Sequence, residues 1–302
     1  MEEMTTGLCP KCGHTLQIPA ELERFSCMYC GERLTKRQLL TQPEEASCSE
    51  EDCAVSFDHA VSRLGWCVQN FRGYQKKILR DAFFEAFETY ETGCAPVIQE
   101  LNSGVRPERQ TELLDRAAEA MLDELSAGWE KKNDMEDEKV ILAIFFVPMV
   151  RKLQLPVSEE FVSLLQKKWV GRYPKSPFYL GDYESISGGF RKKFLGLCFI
   201  TTAVCQELGK PDDCAELTAF RAFRDGYLAA QPDGEALIRE YYNIAPGIVT
   251  CINTCSDRHA SYERIREQYL TPCYEDLLAG RNADCKTRYV QMVRDLEREY
   301  LN

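Results

Sequence analysis

Four cysteines near the start of the chain have the residue type and the spacing of a metal site. Cys9 and Cys12 form one Cys-x-x-Cys pair, and Cys27 and Cys30 form a second pair after fourteen intervening residues. Each pair can turn tightly and direct both sulfur atoms at one point, so that two pairs surround a tetrahedral ion. The pattern predicts a structural zinc site, because four thiolates leave no coordination position for water or substrate.

The segment around these cysteines resembles a zinc ribbon over about residues 7 to 40. Gly13 and Gly31 directly follow the second cysteine of each pair, where a positive φ angle is often needed. Residues 15–18 and 24–27 have the pattern of short strands. Such a module is too small to fold by hydrophobic burial alone, and we expect zinc to hold it together.

The charge of the ribbon surface is compatible with more than one kind of partner. Residues 7 to 40 contain five lysine and arginine residues and three glutamates, which gives a net charge of +2. We expect this surface to support folding or to contact a protein. The alternative is contact with single-stranded nucleic acid, in which Tyr29 stacks on a base and the cations bind phosphates.

Composition restricts the class of protein. The 302 residues include 37 lysines and arginines and 48 aspartates and glutamates, a net charge of −11 that disfavours coating duplex nucleic acid or an anionic membrane. The longest apolar run, residues 140–150, is too short to span a membrane. The acidic start, residues 1–4, lacks the features of a signal peptide. A cytoplasmic location is therefore expected, with cysteines as thiols or metal ligands rather than disulfides.

The chain is predicted to be mainly α-helical, with a small N-terminal four-cysteine zinc ribbon followed by a multi-helix body. Apolar residues recur at helical spacing through most of the sequence after residue 54, and few alternating segments of strand length occur there. The predicted order is a ribbon at 1–40, an acidic linker at 41–53, a helical bundle at 54–172 and a second helical domain at 173–302.

Two further groups of cysteines have partial metal-ligand spacing. Cys48 and Cys53 lie in the acidic linker, either as exposed thiols or as half of a second metal site. Cys251, Cys255 and His259 are spaced four residues apart and would line one face of a continuous helix as three ligands. An interrupted helix at this position is equally consistent with the sequence.

Three ordered blocks in the C-terminal half resemble the bacterial CFI-box domain, over about residues 190–250. The blocks are CFITTA at 198–203, FRAFRDGYL at 220–228 and YYNIAP at 241–246. This chain departs from the family at two places. A small residue, Tyr and Gly often follow the first block, where this chain has Val204, Cys205 and Gln206. Ser often precedes the late proline, where this chain has Ala245. The resemblance implies a helical fold and a bacterial source, and it implies no settled activity.

Cys198 begins a predicted helix over residues 198–208, and two roles are open for it. A thiolate at a helix start would be stabilised by free amide groups and act as a nucleophile, with His259 as its base. Arg224 or Asp225 would then turn inward to meet Cys198 or a ligand. In the alternative, Cys198 is a buried thiol that packs in the core, and Asp225 forms a surface ion pair with Arg221. Helix rise separates Cys198 from Cys205 by about 10 Å, too far for a disulfide.

These observations support one main hypothesis and two alternatives. The main hypothesis is a non-enzymatic zinc-binding interaction or adaptor protein that docks a protein partner through its ribbon and helical surfaces. The first alternative is a cysteine-dependent enzyme or redox sensor that uses Cys198, Arg224, Asp225 and His259. The second is single-stranded nucleic-acid contact by the ribbon.

Overall fold

The computed structural model describes residues 4–9, 15–19, 21–29, 31–36, 50–131, 133–191, 198–254 and 257–301. Contacts along the chain divide it into two compact units, residues 1–54 and 55–302. The described residues are mainly helical, as the sequence predicted. None of the described helices is both long enough and apolar enough to cross a membrane.

The first unit contains two antiparallel hairpins. Strand β1 (Met4–Leu8) pairs with β2 (Thr15–Pro19), and β3 (Arg24–Ser26) pairs with β4 (Arg33–Thr35). The two predicted strand-like segments correspond to β2 and β3. A small core joins the hairpins, and its buried members are Cys9, Leu16, Ile18, Cys27 and Leu34, with Phe25 packed against them.

Helices make up most of the rest of the described chain. Their bounds are α1 (Glu50–Leu64), α2 (Trp66–Gln69), α3 (Phe83–Gly104), α4 (Gln110–Ala127), α5 (Asp134–Ile141), α6 (Val147–Lys152), α7 (Ser158–Arg172), α8 (Tyr183–Arg191), α9 (Phe199–Glu207), α10 (Ala215–Ala222), α11 (Gly234–Thr254), α12 (Arg258–Ile265), α13 (Thr271–Leu278) and α14 (Asn282–Tyr300). Short 3₁₀ turns lie at Tyr74–Lys77 and Pro107–Arg109. Wider π-helical turns lie at Leu142–Phe146, Phe223–Leu228 and Arg266–Leu270.

Apolar spacing explains how the helices pack. Helix α4 has a continuous apolar stripe that packs against α7, and all seven of its large or small apolar members are buried: Leu113, Leu114, Ala117, Ala118, Met121, Leu122 and Leu125. Helix α11 packs between α9 and α14. One continuous core runs from Phe57 to Leu301, so residues on both sides of the predicted boundary at 172/173 share it.

The last four residues of the predicted acidic linker belong to a helix. Residues 37–49 lie outside the described residues, and so does Cys48. Residues 50–53, however, form the first turn of α1, and Cys53 is buried rather than exposed. Three acidic residues in this turn, Glu50, Glu51 and Asp52, interact favourably with the positive end of the helix dipole.

Candidate functional site

A buried polar cluster in the helical unit surrounds Cys198, which lies immediately before α9. Its side chain makes no capping hydrogen bond to the helix. Instead, the buried hydroxyl of Tyr241 accepts a hydrogen bond of 3.0 Å from the Ile200 amide. A side chain of α11 therefore satisfies one of the amides that every helix start leaves without an intrahelical partner.

Arg224 points into the protein from the π-helical turn at Phe223–Leu228 and is only 8% exposed. Its Nη1 donates to Cys198 Sγ at 3.6 Å and to the hydroxyl of Tyr242 at 3.1 Å. The inward position that the sequence offered as an alternative for Arg224 is thus the observed one. A π-helical turn contains an extra residue, which rotates the side chains that follow relative to an α-helix.

Asp225 holds the opposite edge of the same guanidinium. Its two carboxylate oxygens accept hydrogen bonds of 2.6 Å from Nε and 2.8 Å from Nη2 of Arg224. Arg221 does not pair with Asp225 as the i,i+4 spacing predicted. It donates to the carboxylate and the backbone carbonyl of Asp212 instead.

Burial governs the protonation of this cluster. Burial raises the pKa of the Cys198 thiol, and the nearby Arg224 guanidinium opposes that shift without reversing it. The hydrogen bonds that Arg224 donates to Asp225 raise the pKa of Arg224 and lower the pKa of Asp225. At neutral pH the site therefore contains a protonated thiol beside a fixed ion pair. The direction of this shift is opposite to the lowered pKa that the predicted role of Cys198 as a nucleophile requires.

His259 lies away from this cluster. It is on α12, its side chain is 69% exposed, and its Nδ1 is 3.4 Å from Glu207 Oε1. Glu207 is the last residue of α9, so the helix rise separates it from Cys198 by about 13 Å. The structure brings Cys198, Arg224 and Asp225 together and places His259 at the other end of the helix.

Three tyrosines complete the cluster, and the sequence reasoning did not assign them a role. Tyr241 and Tyr242 come from α11, and Tyr289 comes from α14. The Tyr289 hydroxyl donates to that of Tyr241 at 3.4 Å and lies 3.2 Å from Thr201 Oγ1. The sequence signal for Tyr241 and Tyr242 is their position as adjacent tyrosines in the third CFI-box block. Tyr289 had no such signal, since its helix contributes only an ordinary apolar stripe.

A small cavity of about 60 Å³ opens beside Cys198. Its walls are largely apolar side chains. They include Phe220 of α10, Phe223 of the π-helical turn that follows, and Val293 of α14. Arg224, Glu240 and Arg294 also line the cavity, and Glu240 and Arg294 form an ion pair. The space exceeds the roughly 10–15 Å³ that one water needs, and an apolar group of a few atoms also fits it.

The structure describes two of the four predicted zinc ligands. Cys9 and Cys27 are buried in the same small core, and Gly31 has a φ angle of +72°, in the positive region that the sequence predicted. Cys12 and Cys30 lie outside the described residues, as do Gly13 and His14. Within the part of the chain that is described, no three histidine, cysteine, aspartate or glutamate side chains are grouped to hold a metal ion.

The predicted helix face of Cys251, Cys255 and His259 is interrupted. Cys251 is buried near the end of α11, whereas His259 is exposed on α12, which begins after a break. Cys255 lies outside the described residues. Of the two arrangements that the sequence allowed, the interrupted helix is the observed one.

Comparisons of the chain with known protein families, with curated protein sequences and with solved structures found no match. The resemblance of residues 190–250 to the CFI-box domain therefore stays a prediction from the sequence.

Proposed function

We propose that the chain is a non-enzymatic zinc-binding interaction protein that docks a protein partner through its N-terminal unit. The observation that carries this proposal is an exposed apolar tip on that unit. Met28 and Tyr29, between the two predicted ligands Cys27 and Cys30, are 76% and 57% exposed. Methionine and tyrosine are both enriched at the centres of protein interfaces.

The N-terminal unit is consistent with a zinc site that fixes this tip. Among the residues that the structure describes, its core contains five buried side chains, and two of them are Cys9 and Cys27. So small a core does not stabilise a module unaided, and metal binding commonly supplies the missing free energy. Cys12 and Cys30 supply the remaining two thiolates in the proposed site. The backbone already closes a tight turn here, because the Gly31 amide donates to the Cys27 carbonyl at 2.9 Å.

The cluster at Cys198 supports a structural role for the helical unit. The thiol is 4% exposed, its pKa is raised by burial, and its neighbours are an arginine and tyrosines. We therefore propose that residues 190–250 form a CFI-box domain in which Cys198 packs rather than reacts. The contact with Arg224 favours the redox alternative in one respect, since a guanidinium stabilises any thiolate that forms.

Crosslinking tests the docking proposal. A photoreactive phenylalanine analogue at position 29 is expected to form protein adducts of defined mass in cells. The same analogue at position 278 is the matched control, because Leu278 is 70% exposed on the helical unit. Cys27→Ser should abolish the adducts at position 29. Equal adducts at both positions, or adducts with nucleic acid alone, would contradict docking of a protein through the tip.

Selective alkylation separates the main hypothesis from the redox alternative. If Cys198 packs in the core, a neutral thiol reagent modifies it only on unfolding. Fast modification of Cys198 in the folded protein, slowed by Arg224→Met, would favour the reactive cysteine instead. Salt-dependent retention on single-stranded DNA or RNA, lost in Tyr29→Ala, would favour the nucleic-acid alternative.

A further inference from the structure

Several cysteines of the helical unit lie in neighbouring pairs. In two pairs a thiol points at the backbone of the other cysteine: Cys94 Sγ is 3.8 Å from the Cys67 carbonyl, and Cys273 Sγ is 4.0 Å from the Cys285 carbonyl. The thiols within both of these pairs also interact with each other. In the third pair, too, the two sulfur atoms are in contact. Cys214 Sγ lies 3.8 Å from Cys205 Sγ.

The third pair differs from the others in access. All four cysteines of the first two pairs are 0% exposed. Cys214 is half-buried, and among the described cysteines it alone falls outside the buried class. Cys205 is buried but lines a cavity of about 140 Å³, together with Lys210 and Glu216. A small reagent can therefore reach this pair while the other two pairs are sealed.

A chain reversal holds the two residues in place. Cys205 is near the end of α9, where Gly209 has a φ angle of +68° and the Lys210 amide donates to the Cys205 carbonyl at 2.9 Å. Cys214 directly precedes α10, and its amide donates to the Pro211 carbonyl at 3.1 Å. A disulfide needs the sulfurs at about 2.05 Å, so the two sulfur atoms must approach each other by roughly 1.8 Å.

We propose that Cys205 and Cys214 form a redox-modification site that closes to a reversible disulfide, with a peroxide as the oxidant. Peroxide transfers one oxygen atom to the Cys214 sulfur and leaves as water, so that Cys214 becomes a sulfenic acid. The Cys205 sulfur then attacks the Cys214 sulfur, the S–O bond breaks, and a second water leaves. Two thiols lose two electrons and two protons, and one hydrogen peroxide is reduced to two waters.

The surroundings assign the order of these steps. Cys214 is the more accessible sulfur, so it meets the oxidant first. Burial raises the pKa of Cys205 to about 12, an effect that its contact with Cys214 adds to and the Lys210 ammonium opposes. Cys205 thus remains a protected thiol until the sulfenic acid forms beside it. The resulting bond would join the end of α9 to the start of α10.

Peptide mapping tests the proposal on the full chain. The protein is treated with hydrogen peroxide, blocked with a thiol reagent and digested with a protease that cleaves after glutamate. Residues 185–207 and 208–216 are then separate peptides, with Cys205 in the first and Cys214 in the second. We expect the two peptides to become linked, and a dithiol reductant to separate them again. Linkage should be at least about tenfold faster than any oxidation of the sealed pairs, because thiol oxidation follows accessibility.

The variants identify the sulfurs involved. Cys198 is in the same peptide as Cys205, so Cys198→Ala should leave the linkage unchanged and Cys205→Ser should abolish it. Absence of linkage in the unsubstituted chain would overturn the proposal. So would linkage through Cys198, a disulfide between two copies of the chain, or equally fast oxidation of Cys67 and Cys94. The measurement is independent of zinc binding, because none of these peptides belongs to the N-terminal unit.

Discussion

Arg224 donates a hydrogen bond to the sulfur of Cys198 across 3.6 Å, from the same nitrogen that reaches Tyr242. Both residues are nearly inaccessible to solvent, and Asp225 fixes the other edge of the guanidinium. The thiol therefore faces a buried cation that has a neutralising partner of its own. This arrangement explains why burial dominates the pKa of Cys198 while the arginine only moderates it.

Removing one predicted ligand should release the metal and disorder only the N-terminal unit. We expect about one zinc per chain in the unsubstituted protein and a large loss of zinc in Cys27→Ser, since the site would lack one of four thiolates. The helical circular dichroism signal should stay nearly intact, because residues 55–302 have a separate core. Elemental analysis measures the zinc. Less than about half an equivalent in gently purified, fully reduced protein would count against the site.

Truncating Phe223 should destabilise the helical unit strongly. Its buried ring stacks against Tyr227 with the ring centres 5.7 Å apart and lines the cavity beside Cys198. Phe223→Ala is expected to lower the free energy of unfolding by about 3–5 kcal/mol, because it removes a large side chain and enlarges a cavity. Denaturant titration followed by circular dichroism measures the change.

Cys198→Ser should cost less than Phe223→Ala, about 1–3 kcal/mol, since a buried hydroxyl is less favourable than a thiol. The Arg224 guanidinium, already a donor to the sulfur, can donate to the new hydroxyl and keeps the cost at the lower end. Measuring the cellular phenotype beside the stability of Cys198→Ser separates a packing role from a reactive one. If Cys198→Ser leaves stability unchanged but abolishes the cellular phenotype, the thiol of Cys198 takes part in chemistry. The packing role would then be wrong.

Tyr241→Phe should weaken the start of α9. The substitution removes the hydroxyl that accepts from the Ile200 amide and leaves that buried donor without its partner. We expect a loss of about 1–3 kcal/mol in the free energy of unfolding. Tyr289→Phe is the matched control, because its hydroxyl hydrogen-bonds to the hydroxyls of Thr201 and Tyr241 and not to a backbone amide of the helix start. Equal losses in both variants would contradict a specific role for the Tyr241 hydroxyl at the helix start.

Alkaline pH should destabilise the helical unit through its buried thiols. Burial raises the pKa of Cys198 above its ordinary value of 9.0, so the folded protein holds this proton more tightly than the unfolded chain. The associated stability is fully present below the ordinary pKa and is lost as the pH rises through the folded pKa. Unfolding midpoints measured from about pH 8 to about pH 11 should fall, and the fall should be shallower in Cys198→Ala. Parallel curves would show that this thiol does not contribute.

Local sequence patterns determine much of the secondary structure of this protein independently of tertiary contacts. Apolar spacing predicted the helical body, and the buried stripe of α4 is the clearest case, because helical periodicity alone decides which side chains share a face. The positive φ angle at Gly31 also followed from residue type and position. The zinc site inferred from the four-cysteine spacing and the family inferred from the CFI-box blocks remain predictions.

Only the tertiary structure decided which side chains meet. The i,i+4 rule paired Arg221 with Asp225, but a π-helical turn rotated Arg224 inward and gave Asp225 a different partner. Helix rise predicts a wide separation of Cys198 from Cys205 but carries no information on Cys214. The chain reversal at Gly209 brings Cys214 into contact with Cys205. Spacing rules act within one element. Contacts between elements depend on how the chain reverses and packs, which is why His259, a base by residue type, lies at the far end of α9.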